Sequence, residues 1–72
     1  MKEIIKAPLP GRVIEVNITV GDAIDEEALI CTIEAMKMEN PILCPVKGLV
    51  TELAVSPGQL VRTGEKIAVI EY

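Results

Sequence analysis

Histidine, phenylalanine and tryptophan are absent from this 72-residue chain, which holds one tyrosine and two cysteines. With no imidazole, and no serine or cysteine beside a plausible base, the common nucleophile and base pairings of a self-sufficient hydrolase are missing. Cys31 and Cys44 are too few for a disulfide framework and, without histidine, do not make a metal-ligand set. Cations are also scarce: seven Lys and Arg against eleven Asp and Glu leave a net charge of −4, and the seven are scattered. Nucleic-acid binders need a clustered basic surface, so no nucleic-acid partner is expected. Long apolar runs are lacking too. None approaches the roughly 20 residues that cross a bilayer, and Met1 to Lys6 lacks the apolar segment of a signal peptide. The chain reads as cytoplasmic, with no direct membrane insertion.

What is present is aliphatic. Half of the residues are hydrophobic, nearly all of them Val, Ile, Leu and Ala, a composition that favours sheet. The length allows one domain, residues 1–72, near the lower size limit at which an apolar core can stabilise a fold.

An internal repeat appears without a gap at an offset of 37 residues. Pro8 falls on Pro45, Gly11 on Gly48, Val13 on Val50, Glu15 on Glu52, Gly21 on Gly58, Ile30 on Ile67, Ile33 on Ile70 and Glu34 on Glu71. In the first half Ile14, Val16, Ile18 and Val20 alternate with Glu15, Asn17 and Thr19, the period of a strand with one buried face; Leu53 and Val55 echo it. Turn formers recur at matched places, as Gly21-Asp22 and Pro57-Gly58. Asp25 to Ala28 could form one helical turn, but no segment carries the apolar spacing of a packed helix. The fold expected is therefore all-β. Two like halves, neither able to bury its apolar face alone, stack as a two-sheet sandwich or flattened barrel with a pseudo-twofold.

Superposing Ala7 to Glu34 on Cys44 to Glu71 leaves Ala35 to Leu43 as a linker. Its Met36-Lys37-Met38 is a poor choice for a tight turn. Primed hairpin turns demand positive φ, at a cost on the order of 1 kcal/mol per bulky residue, and Asn-Gly is the usual solution. An exposed lysine is ordinarily a solvated charge. Between two methionines at a strained turn, however, it also presents a primary amine beside polarizable apolar side chains, a setting suited to covalent attachment of an apolar group.

Glu34-Ala35-Met36-Lys37-Met38-Glu39-Asn40 resembles the attachment motif of biotin carboxyl carrier domains, within the biotinyl/lipoyl attachment family. Ala7-Pro8-Leu9-Pro10-Gly11, Val20-Gly21-Asp22, Pro45-Val46-Lys47-Gly48 and Pro57-Gly58-Gln59 extend the likeness over nearly the whole chain. The resemblance implies a barrel-sandwich of two four-stranded antiparallel sheets with the modified lysine at a hairpin tip. It implies biotin as the cofactor, joined to Lys37 by a biotin protein ligase, charged by a biotin carboxylase and unloaded by a carboxyltransferase. Lys37 would then be an acceptor and not a catalyst, in a non-catalytic carrier, with Ala35, Met36 and Met38 recognised beside it. Where the family usually carries glycine this chain has Glu27, so the turn there is expected to depart from that at Gly64. The repeat leaves no room for the protruding segment of acetyl-CoA carboxylase carriers of the bacterial multi-subunit kind, which points toward carriers of decarboxylase, transcarboxylase, pyruvate carboxylase or propionyl carboxylase type.

Two other functions stay open. A lipoyl carrier shares the pattern, although lipoyl domains usually flank the lysine with Asp and a small residue; an unmodified structural barrel-sandwich module would take no group at all. Cys31 and Cys44 align with Ala68 and Ala7, which makes them small core residues, and Asp25-Glu26-Glu27 reads as a solvated acidic turn.

Overall fold

Eight short strands and no helix make up the computed structural model, which describes residues 1–72. They are β1 (Lys2–Lys6), β2 (Gly11–Val16), β3 (Ala23–Ile24), β4 (Leu29–Ala35), β5 (Met38–Leu43), β6 (Gly48–Leu53), β7 (Leu60–Val61) and β8 (Lys66–Glu71). One four-stranded sheet runs β1-β8-β6-β3, the other β5-β4-β2-β7, and every pair is antiparallel. The expected barrel-sandwich of two four-stranded sheets is the fold observed.

The repeat explains the strand order. Adding 37 to the residues of β1 through β4 lands on β5 through β8, and the same shift carries one sheet's order into the other's. Each half supplies two strands to each sheet, so neither half could close its sheets alone. Backbone bonds between the halves come in equivalent pairs: Gly21 N–H donates to the Val50 carbonyl at 2.8 Å and Gly58 N–H to that of Val13 at 2.6 Å.

The core lies between the sheets. Val13, Ile30, Ile33, Val50, Ile67 and Ile70 are fully buried, in three pairs related by the repeat, and no polar or charged residue is buried with them. Each such aliphatic side chain contributes about 1.5–3 kcal/mol by leaving water, a large share of stability in so small a domain. Cys31 and Cys44 are free and buried, and the Cys44 thiol donates to the Val46 carbonyl. Both act as core residues, as their alignment with alanines implied.

Three expectations need correction. The alternation placed Ile14 and Val20 on the buried face with Val16 and Ile18, but Ile14 and Val20 are exposed, Val16 is half-buried, and Val13 is the buried residue. A bulge at Ile14 changes the facing within β2, where Val13 pairs with Ile33 and Glu15 with Thr32 around one extra residue, while Val20 lies beyond the strand in a turn. Its twin is Thr51, between Val50 opposite Ile70 and Glu52 opposite Val69. Secondly, the linker is shorter than Ala35 to Leu43, because Met38–Leu43 forms β5, the equivalent of β1; Met36 and Lys37 alone join the halves. Thirdly, the turn at Glu27 keeps the geometry of the turn at Gly64, with φ of 69° and 87°.

Candidate functional site

Strands β4 and β5 form a hairpin whose pairing runs from Cys31 opposite Ile42, through Ile33 opposite Asn40 and Glu34 opposite Glu39, to Ala35 opposite Met38. Only Met36 and Lys37 remain for the loop. Their φ angles are 53° and 65°, the positive values that a two-residue turn of type I′ requires at both central positions. The left-handed backbone anticipated for Met-Lys is present.

The stem opposes that strain. Asn40 Nδ2 donates to the Ile33 carbonyl and to the Met38 carbonyl, both at 3.2 Å, tying β5 to β4 directly below the tip. Gly11 of β2 lies against the stem so closely that a Cβ there would meet the Glu34 carbonyl, come within 2.7 Å of Ile33 Cγ2 and within 3.2 Å of Ala35 Cβ. A side chain on β2 would therefore push the hairpin away. Neither Asn40 nor Gly11 was assigned these roles from the sequence, although both stand in the stretches that carry the family likeness.

At the tip, Met36 is 93% exposed, Met38 66% exposed and Lys37 exposed, while Ala35 is half-buried where the stem begins. Lys37 makes no ion pair; the one salt bridge of the chain joins Lys66 to Glu52. Glu34 and Glu39, both exposed, face each other across the stem, a like-charge pair that disfavours the sheet locally. All four residues expected at the site, Ala35, Met36, Lys37 and Met38, thus lie together around a free primary amine. Such an amine can form an amide with an activated acyl group, provided a partner activates the acyl group and takes the proton.

The two halves differ here. The place equivalent to Ala35 and Met38 is held by Tyr72 and Met1, whose backbones also pair: the terminal amine donates to the Tyr72 carbonyl at 2.7 Å and Tyr72 N–H to the Met1 carbonyl at 2.8 Å. A groove of about 340 Å³ lies between the edge strands β1 and β5, lined by Ile4, Ile5, Pro8, Pro41, Ile42 and Pro45 among others, and includes no tip residue. Cys31 and Cys44 lie in the core, and Asp25 to Glu27 form an exposed turn instead of a helical one. Burial pushes the Cys31 thiol above its ordinary pKa.

Residues 3–70 match the family model described as biotin-requiring enzyme. The chain belongs to this family. Among relatives of this biotin-requiring family member is the biotin carboxyl carrier protein of Streptococcus mutans, 41% identical over 89% of the chain and 49% of the relative. The biotinylated protein TB7.3 homolog of Mycobacterium leprae is 39% identical over 97% of the chain and 99% of the relative. Among solved structures, the urea carboxylase of Kluyveromyces lactis superposes with a TM-score of 0.90 at 28% identity, over 99% of this chain and 6% of the carboxylase. The chain thus spans about half of the Streptococcus carrier, nearly all of the Mycobacterium protein and a small part of the carboxylase.

Proposed function

We propose that this family member is a biotin carboxyl carrier whose Lys37 bears the biotin. The observation that carries the reading is the Met36-Lys37 turn, where a left-handed backbone holds an exposed lysine at the joint of two halves that otherwise repeat each other. The names of the Streptococcus and Mycobacterium relatives support biotin as the group. The residues suit it: Lys37 offers an amine free of ion pairs, and Met36 and Met38 offer apolar, adaptable surface beside it.

In acylation the Lys37 Nζ supplies the electron pair for the new C–N amide bond, the activating group leaves the acyl carbon, and the amine loses its protons to solvent or ligase. No neighbouring side chain is bonded to this amine to act as a base, so a biotin protein ligase must activate it. Bound biotin supplies a nitrogen that takes up and gives back a carboxyl group. Acylation removes one positive charge from the tip, and the rigid stem holds the arm at high effective concentration for sites within reach. The partners proposed beyond the ligase are a biotin carboxylase and a carboxyltransferase. Residues 1–72 are proposed to act as a single biotinyl domain, non-catalytic in itself. Two free cysteines suit a reducing compartment such as the cytoplasm.

Expression with a biotin protein ligase should add one biotin to the intact mass, and Lys37→Ala should abolish the addition. A lipoyl increment with none for biotin would replace this reading by the lipoyl one.

A further inference from the structure

We infer that Met36 and Met38 form an oxidation-sensitive site, at which a peroxide converts the thioethers beside Lys37 to sulfoxides and so slows acylation of the lysine. The inference rests on the proposed role of Lys37 as acceptor. It starts from where the sulfur atoms lie. The chain has five, in Met1, Cys31, Met36, Met38 and Cys44. Cysteine is ordinarily the more reactive toward peroxide, but as the thiolate and only where solvent reaches it. Here both cysteines are buried and free, and burial keeps the Cys31 thiol protonated. Oxidant in solution therefore meets the methionines first.

Of these, Met36 is 93% exposed and Met38 66% exposed. The fold accounts for this exposure: the two-residue turn leaves Met36 no neighbouring strand to pack on, and Met38 is the first residue of β5. Both flank the amine in sequence, so a partner that grips Lys37 must also contact them. The third methionine is a natural control. Met1 is 85% exposed and stands at the place equivalent to Met38, far from Lys37 in the sequence.

The chemistry balances for a hydroperoxide. Its O–O bond breaks, one oxygen forms the S–O bond, sulfur loses two electrons, and the peroxide leaves as an alcohol or, from hydrogen peroxide, as water. The product is a polar, chiral group in place of a flexible apolar one, at the surface that recognition of Lys37 must cover. Methionine sulfoxide reductases reverse it, with a dithiol reductant supplying two electrons and two protons and the oxygen leaving as water.

The test is graded hydrogen peroxide on the purified chain, removal of peroxide, peptide mapping of each methionine, then the initial rate of ligase-catalysed biotin addition by intact mass. Chains oxidised at Met36 and Met38 should be acylated at least fivefold more slowly than untreated chains, with the rate restored by the reductases. Met1→Leu should remain as sensitive as the wild type. The Met36→Leu/Met38→Leu double variant, whatever its own starting rate, should show the same rate before and after peroxide. Equal rates for treated and untreated wild type, or an equal loss in the double variant, would overturn the inference while leaving the carrier reading intact. An untreated chain that takes no biotin would overturn both.

Discussion

Glu27 and Gly64 occupy the same point of the two halves and share a left-handed backbone, at φ 69° and 87°. The reason is an equivalent hydrogen bond: Glu27 N–H donates to the Cys44 carbonyl at 2.6 Å, and Gly64 N–H to the Ala7 carbonyl at 2.8 Å. The bonds between the halves fix the conformation, and the side chain at Glu27 tolerates it at a cost. Glycine would remove the Cβ conflict while adding some unfolded-state entropy, so Glu27→Gly should raise stability by about 0.5–1 kcal/mol. Urea denaturation checks this, and a lower midpoint would speak against it.

The two close-approach glycines allow stability and site geometry to be separated. A Cβ on Gly48 would meet the Glu71 carbonyl and come within 2.9 Å of Ile70 Cγ2, much as one on Gly11 would press on Glu34 and Ile33. Both Gly11→Ala and Gly48→Ala should therefore cost about 1–3 kcal/mol. Only Gly11 touches the lysine hairpin. At a temperature where both variants are folded, Gly11→Ala should slow biotin addition severalfold and Gly48→Ala should not; equal ligase rates in the two would show that stem position is irrelevant.

Cys31 makes the fold sensitive to alkali. Burial raises the pKa of its thiol in the folded chain, so below the ordinary thiol range both states hold the proton and stability is unaffected. Above about pH 8.5 the unfolded thiol ionises while the folded one does not, and stability falls until the folded pKa is passed. Cys31→Ala lacks this loss. The stability gap between wild type and Cys31→Ala should thus narrow between neutral pH and pH 10, as followed by denaturant melts; a constant gap would assign the thiol no part.

Much of this was legible in the residues. The matched positions of Val13 with Val50, Ile30 with Ile67 and Ile33 with Ile70 mark the core, and Met-Lys at the joint already implies positive φ. Other features were hidden for physical reasons. A bulge adds one residue without altering composition, so the period-two pattern through Ile14 reads smoothly across the point where the facing flips. Glu39-Asn40-Pro41 looks like loop, and Pro41 is accepted in β5 only because that strand lies at a sheet edge. Its twin in β1 shares only Ile5 with Ile42, too little to extend the repeat by eye. The partners of Asn40 Nδ2 follow from the hairpin register and from no local pattern.

Five lysines are present, Lys2, Lys6, Lys37, Lys47 and Lys66, and all are exposed, so exposure alone cannot select one. Selection by the left-handed Met36-Lys37 turn is the central claim. Peptide mapping of the chain after reaction with a biotin protein ligase tests it directly: biotin should be found on Lys37 and on no other lysine. Biotin spread over Lys2, Lys6, Lys47 or Lys66, or its addition to a Lys37→Arg variant, would contradict the account.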